Sequence, residues 1–245
     1  MNTNLDQNVS CVVLCGGRGS RMGEKTKELP KPLVSVCGKP ILQHILGKLD
    51  SVGFDQITLC TGYKSDKIEE HVASGQLQTE TELVINDTGN GTPMLTRIHQ
   101  SRHLFSEYVV VCYGDTFIDL DIPQLIKTHV EEQRLITIVT GKIKNPFGIL
   151  QLDEDTQKVS SFIEKPIYDY YIGCFVFKAD LLDRVTDEML EMPDGRGLVD
   201  LFHKMIDQQQ MHFHRFKGMQ VTFNTESERE VAEKELNNYY TISNE

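Results

Sequence analysis

Apolar and polar positions along this chain follow two periods that take turns. Cys11 to Cys15 is a short, uninterrupted, β-branched apolar run, the pattern of a strand buried on both faces. Pro40 to Val52 changes period: Ile41, Ile45, Leu46 and Leu49 recur at helical spacing, behind a proline suited to a first turn. The same exchange repeats. Gln56 to Thr61 reads as strand, and Ser65 caps a short helix through Val72. Glu82 to Ile85 is strand, and Thr92-Pro93 opens a helix to about Phe105. Tyr108 to Tyr113 is strand, Ile122 to Glu132 helix and Leu135 to Thr140 strand. This alternation predicts an α/β fold, with a mostly parallel central sheet and helices on both faces.

After residue 140 the strand pattern dominates. Phe147 to Leu152, Val159 to Glu164 and Tyr171 to Phe177 are strand-like. Ala179 to Val185 and Gly197 to Gln209 read as helices. Met211 to Phe216 and Met219 to Phe223 are short strands, and Glu226 to Asn238 is a final helix. No repeat or low-complexity linker interrupts the sequence, so a single domain is expected over 1–245, in two halves that meet near residue 140.

In such sheets ligands bind at the carboxyl ends of strands, and the first strand ends in Leu14-Cys15-Gly16-Gly17-Arg18-Gly19-Ser20-Arg21-Met22. Glycines there let backbone N–H groups approach a phosphate. Arg18, Arg21 and Lys31 supply cations for an anionic ligand. A plain turn is the competing reading of the glycines alone. Neither a Walker A loop, with Lys after its last Gly, nor the Gly-x-Gly-x-x-Gly spacing is present. The loop continues into Leu29-Pro30-Lys31-Pro32-Leu33 and Gly38-Lys39-Pro40-Ile41.

Together these three segments resemble the N-terminal signature of the nucleotidyltransferases that comprise NDP-sugar synthases and small-metabolite cytidylyltransferases. The resemblance implies a Rossmann-like, GT-A-like domain with a nucleotide-binding half over about 1–140 and a smaller acceptor-binding half over about 141–245. It implies triphosphate on the loop, with Leu14, Gly16, Gly17, Arg18, Gly19 and Ser20 in contact. Arg21 and Lys31 would then neutralise charge in catalysis. It puts a Mg²⁺ ion on Asp115, which follows the strand Tyr108 to Tyr113; without the resemblance, a helix or turn cap is the alternative role of that carboxylate. A second ligand, Asn224, comes from Thr222-Phe223-Asn224-Thr225-Glu226. Asn224 is equally a candidate N-cap of the last helix. Asp119 and Asp121 read as loop and cap residues. Ser161-Phe162-Ile163-Glu164-Lys165-Pro166 matches the family's Glu-Lys-Pro motif, which would set Lys165 on the acceptor phosphate; alone, it is a strand end with surface charge.

The base-reading segment would be Asn86 to Ile98, with Asn86, Thr88, Gly91, Thr92 and Arg97 as contacts. It lacks the Gly-Leu-Ala-Gln-like run of many uridylyl and thymidylyl relatives. Its Arg97-Ile98 pair is similar to cytidylyltransferases, in which an Arg recognises cytosine, so CTP is expected. Arg97 as an ordinary helix residue competes with that role. On the acceptor side Tyr171 stands where sugar-using relatives carry Asn, beside Gly173. An aromatic there suits a small or cationic phosphate or phosphonate acceptor; packing of the rim is the alternative. The leading reading is a Mg²⁺-dependent cytidylyltransferase that releases pyrophosphate. An NDP-sugar synthase and a catalytically silent nucleotide-binding relative are the alternatives. A glycosyltransferase of this architecture would need an Asp-x-Asp motif, which Gly114-Asp115-Thr116-Phe117 does not supply.

Composition narrows the partners. With 245 residues and 39% hydrophobic content the chain can build a good core, and its net charge of −11 argues against general nucleic-acid binding. The six cysteines show no metal-ligand spacing and read as reduced thiols, five of them in or beside apolar runs. Met1 to Ser10 is polar, unlike a signal peptide, and no apolar run approaches membrane-spanning length. A cytoplasmic protein without membrane or nucleic-acid partners is expected, with self-association into a homo-oligomer left open.

Overall fold

The computed structural model describes residues 8–23 and 25–242. The lead-in expected over residues 1–8 falls almost wholly outside them, as does the Lys25 side chain. The nucleotide half runs β1 (Val9–Leu14), α1 (Lys25–Glu28), β2 (Ser35–Val36), β3 (Lys39–Pro40), α2 (Ile41–Asp50), β4 (Gln56–Thr61), α3 (Ser65–Ala73), β5 (Glu82–Asp87), α4 (Met94–Gln100), β6 (Tyr108–Tyr113), β7 (Thr116–Ile118) and α5 (Ile122–Glu132). The second half adds β8 (Ile136–Lys144), β9 (Ile149–Asp153), β10 (Lys158–Ile163), β11 (Ile167–Lys178), α6 (Asp187–Glu191), α7 (Arg196–Asp207), β12 (Met211–Arg215), β13 (Gln220–Thr222) and α8 (Glu226–Ile242).

Seven strands form the central sheet, in the order β12-β8-β11-β6-β1-β4-β5. Pairing is parallel throughout except at β11, which runs antiparallel to both β6 and β8. The mostly parallel sheet is thus as expected, and the reversed strand is the third of the seven, inside the sheet. The strand period of two sorts side chains to opposite faces. Cys11, Val13, Val110 and Cys112 pack with α2, α5 and α8. Val12, Val109 and Val111 pack with α4 and α7 on the other side. Helices therefore cover both faces, as a parallel sheet demands.

Local chemistry sets several ends. Asp121 caps α5, accepting the Gln124 N–H at 2.9 Å. Ser65 is the first residue of α3 and is buried, its hydroxyl bonded to Thr61 (2.7 Å) and Glu69 (3.2 Å). The helix expected to Phe105 ends at Gln100 and resumes as a 3₁₀ turn. Residues Ala179–Arg184 form a 3₁₀ helix. Cys11, Cys15, Cys60, Cys112 and Cys174 are buried and undisulfided, and Cys37 is half-buried.

His129 of α5 is buried against Thr137 of β8, its Nδ1 2.9 Å from the threonine hydroxyl, and its Nε2 has no partner. Burial, with Lys178 and His212 nearby, pulls its pKa down to about 4. The folded protein then keeps the ring neutral at pH values where the unfolded chain, titrating near 6.5, takes up a proton. Stability should be complete above pH 6.5 and fall as pH drops from about 6.5 to about 4, by up to roughly 3 kcal/mol. Denaturant titrations across that range should show the slope, and His129→Gln should flatten it; an equal slope in that variant would assign the effect to other groups.

Candidate active site

The carboxyl ends of β1 and β6 open into a cleft of about 410 Å³. The glycine loop forms one wall: Leu14, Gly16, Gly17 and Gly19 line the cleft with Arg21 and Lys31. Gly19 holds φ +59°, a left-handed backbone, and a Cβ there would stand 2.9 Å from the Lys31 Cβ. Thr26, buried beneath, donates its hydroxyl hydrogen toward the carbonyls of Gly19 (3.1 Å) and Gly23 (3.2 Å) and fixes the turn. Ser20 begins the 3₁₀ turn that follows and does not line the cleft. Arg18 sits at the mouth, where its Nε donates to the Asn90 side chain at 3.4 Å and its guanidinium lies 5.8 Å from the Tyr63 ring.

Lys31 is the buried cation of the site, in a 3₁₀ turn between Pro30 and Pro32. Its ammonium donates to Asp115 Oδ2 at 2.6 Å and to Asn224 Oδ1 at 3.3 Å, and lies 5.5 Å from the Phe223 ring. Asp115 and Asn224, 109 positions apart in the chain, therefore aim oxygens at one point. Two hard oxygens, one anionic, beside the glycine loop are a donor set that fits Mg²⁺. Capping of α8 falls to Thr225, whose hydroxyl accepts the Glu228 N–H (3.3 Å), while the Glu228 carboxylate takes the Asn224 N–H (2.6 Å). The Asn224 side chain is thereby left to face Lys31.

The base-reading segment is built around a buried guanidinium. Arg97 Nη1 donates to the Thr61 carbonyl and the Thr88 hydroxyl, and Nη2 donates to the carbonyls of Thr92 (3.0 Å) and Gly16 (3.5 Å). A Cβ on Gly16 or Gly62 would overlap that guanidinium. Burial pulls the Arg97 pKa down from its ordinary value. Arg97 is thus neither an exposed helix residue nor a free base reader, although it lines the cleft. It ties the glycine loop to the Thr88–Thr92 turn. Thr92 lines the cleft, its hydroxyl bonded to the Thr88 carbonyl at 2.5 Å; Gly91 is outside it with φ +86°. Asn86 turns away and donates to the Ser101 hydroxyl (2.8 Å).

On the acceptor side the structure separates what the sequence grouped. Tyr171 does not line the cleft: its ring packs edge-on to Tyr113 and Phe202, and its hydroxyl is buried without a partner. Burial pushes its pKa well up. The aromatic surface expected from Tyr171 is presented by Tyr113. Gly173, at φ +84°, lies so close that a Cβ would stand 3.0 Å from the Tyr113 ring. Lys165 is exposed at the β10–β11 turn, outside the cleft, 3.6 Å from Glu164.

Sequence reasoning missed Met94, Asp194, Gly195 and Thr222, all of which line the cleft. Asp194 and Gly195 arrive from the α6–α7 loop, docked by the Met94 N–H on the Asp194 carbonyl at 2.9 Å. The Pro193-Asp194-Gly195 turn signal was the only cue in the sequence.

A glycine loop at a strand end, a buried lysine and a carboxylate–amide pair, set on a mixed seven-stranded sheet, define a phosphate-handling α/β domain of GT-A-like architecture. HddC from Yersinia pseudotuberculosis shares the fold, with a TM-score of 0.70 over 94% of this chain and all of that one at 19% identity. A Bacillus subtilis protein named "Probable glucose-1-phosphate cytidylyltransferase" is 30% identical over 79% of this chain and 84% of its own length. The UTP--glucose-1-phosphate uridylyltransferase of a Synechocystis strain is 26% identical over 81% of this chain, and the mannose-1-phosphate guanylyltransferase of Mycobacterium tuberculosis 29% identical over 77%. The chain spans about half the length of these last two, 55% and 52%. The profile of the nucleotidyl transferase family matches residues 10–220, and this chain belongs to that family.

Arg97→Met should remove the guanidinium that joins the carbonyls of Gly16, Thr61 and Thr92 to the Thr88 hydroxyl and destabilise the protein by roughly 2–4 kcal/mol. Urea unfolding measures this. A change under about 0.5 kcal/mol would show that the loops hold without the guanidinium.

Proposed function

We propose that this chain transfers a nucleoside monophosphate from a nucleoside triphosphate, CTP in the first instance, to a sugar 1-phosphate with release of pyrophosphate. The carrying observation is the convergence of the glycine loop, Arg21, Lys31, Asp115 and Asn224 on one cleft. An acceptor phosphate oxygen is already anionic near neutral pH, so the reaction needs alignment and charge neutralisation more than a general base. That oxygen forms a bond to the α-phosphorus, the α–β anhydride bond breaks, and pyrophosphate carries away the electron pair. Loop N–H groups and Arg21 hold the β- and γ-phosphates. Lys31 leaves its position between Asp115 and Asn224 to meet the charge that develops at the α-phosphate. Asp115 and Asn224 would hold Mg²⁺, which supplies Lewis-acid charge neutralisation when bound.

The sugar 1-phosphate acceptor rests on the Bacillus, Synechocystis and Mycobacterium relatives, whose names each include one. Tyr171, behind the cleft wall, makes no contact with an acceptor there, and the aromatic ring at the cleft is that of Tyr113. The nucleotide rests on the Arg97-Ile98 pair and on the cytidylyl name of the 30%-identical relative. Arg97 would act on the base through the Thr88–Thr92 turn that it holds. A second reading, a small amine-bearing phosphate or phosphonate, is favoured by the exposed Asp194 carboxylate at the cleft.

Pyrophosphate release measured with Mg²⁺ for five NTPs, each against hexose 1-phosphates, phosphocholine and 2-aminoethylphosphonate, tests both readings. Release with CTP and a hexose 1-phosphate is expected. Release only with an amine-bearing acceptor would select the second reading, and none with any pair would overturn both. Lys31→Ala should lower kcat/KM by 10²-fold or more with the fold kept, as circular dichroism would show, though the lost tie to Asp115 lowers the unfolding midpoint; near-parental turnover would remove Lys31 from the reaction.

A further inference from the structure

The two walls of the cleft differ in charge. Leu33 and Phe223 root Lys31 and Asn224 in the core layer under α2 and α8, and Asp115 is bonded to Lys31 there. The other wall rises from the layer of Leu95, Met189 and Leu198, where the α6–α7 loop brings Asp194 to the cleft. Asp115 and Asp194 are the two carboxylates of the cleft. Lys31 engages the first. The second is exposed, and its carboxylate has no hydrogen bond or ion pair among the described residues.

The main chain, not this carboxylate, holds the loop in place. The Asp194 carbonyl accepts the Met94 N–H at 2.9 Å, and the Pro193 carbonyl accepts the Arg196 N–H at 3.1 Å. Met94 Sδ in turn accepts the Tyr113 hydroxyl at 3.2 Å, so Asp194 is fixed to the wall that Tyr113 and Thr92 also line. Asp194 has φ +55°, which a turn meets equally well with Gly or Asn. Its negative charge therefore serves neither the turn nor the docking of the loop.

A fixed, unpaired carboxylate repels phosphate. In a cleft that takes polyanions it must face an uncharged part of a substrate. We propose that Asp194 is a specificity-determining residue whose carboxylate accepts hydrogen bonds from a hydroxyl pair on a sugar ring, in the ribose of the nucleotide or in the acceptor. Two carboxylate oxygens suit neighbouring hydroxyls, since each takes one O–H in a charge-assisted bond. A ligand that lacks one hydroxyl covers the carboxylate without replacing its water, and binds more weakly for that reason. The acceptor branch rests on the sugar 1-phosphate reading; the ribose branch stands without it.

The test sets the parent beside Asp194→Asn and Asp194→Gly, two side chains that the backbone of this turn accepts. Titration calorimetry with CTP, UTP and GTP and with their 2′-deoxy and 3′-deoxy forms, without acceptor, reads the ribose branch. KM in pyrophosphate release, for glucose 1-phosphate and its deoxy forms, reads the acceptor branch. In one branch the parent should favour the full hydroxyl set by about 10-fold or more. Both variants should lose most of that preference, with kcat within about threefold of the parent and the same circular dichroism. A parent indifferent to every hydroxyl overturns the proposal, whether or not the variants fold. So does a preference that both variants keep, or a loss confined to amine-bearing acceptors. A parent that binds a nucleoside triphosphate but turns over no sugar 1-phosphate overturns the functional reading alone, and the ribose branch then decides for Asp194. A parent that binds no nucleoside triphosphate and turns over no sugar 1-phosphate overturns both.

Discussion

A buried guanidinium holds the nucleotide half of this structure together. Removing a cation from water costs several kcal/mol unless fixed acceptors replace the lost hydration. Arg97 meets that condition with three main-chain carbonyls and one hydroxyl, drawn from β1's loop, the end of β4 and the turn after β5. The geometry runs both ways. Because the guanidinium occupies the space where Gly16 and Gly62 would carry a Cβ, those glycines are set by packing against Arg97. Three strand ends that share only sheet hydrogen bonds are thereby tied at the point where the cleft begins.

Lys31 makes the corresponding tie across the cleft. It binds Asp115 at the end of β6 and Asn224 before α8, so residues from the beginning, middle and end of the chain meet at one positive charge. The flanking prolines restrict the backbone around it. The Phe223 ring beneath adds a face that favours a cation. A carboxylate and an amide oxygen thus face one point, and both are oxygen donors of the kind that hard cations take.

What the sequence disclosed follows from where the information lies. Buried parallel strands are written as continuous apolar runs, so β1, β4 and β6 stand out, and so does the glycine loop that follows β1. Direction is not written in such a run: Cys174 to Phe177 looks the same read either way, and only the structure sets β11 antiparallel between β6 and β8. Asp121 was legible as a cap because capping is local. Arg97 was not legible as a buried tie, since its acceptors lie as far as 81 residues away in sequence. Asp194 was hidden for the same reason, as the cleft reaches it only through the docking of the α6–α7 loop.

Tyr171 was misplaced because its motif position outweighed its place in the strand period. The pairing of β11 with β8 shifts register between Tyr171 and Phe175, and Gly173 sits within that shift at φ +84°. The shift spans an even number of residues on both strands, so alternation still sets Tyr171 on the face of Phe175. In the structure its ring enters the layer of Phe175 and Phe202, behind Tyr113. The missing Cβ of Gly173 leaves room for the Tyr113 ring at the cleft wall. A position whose motif suggests a ligand contact is thus a support for the cleft wall, and the strand's period of two, which joins it to Phe175, decides between the two.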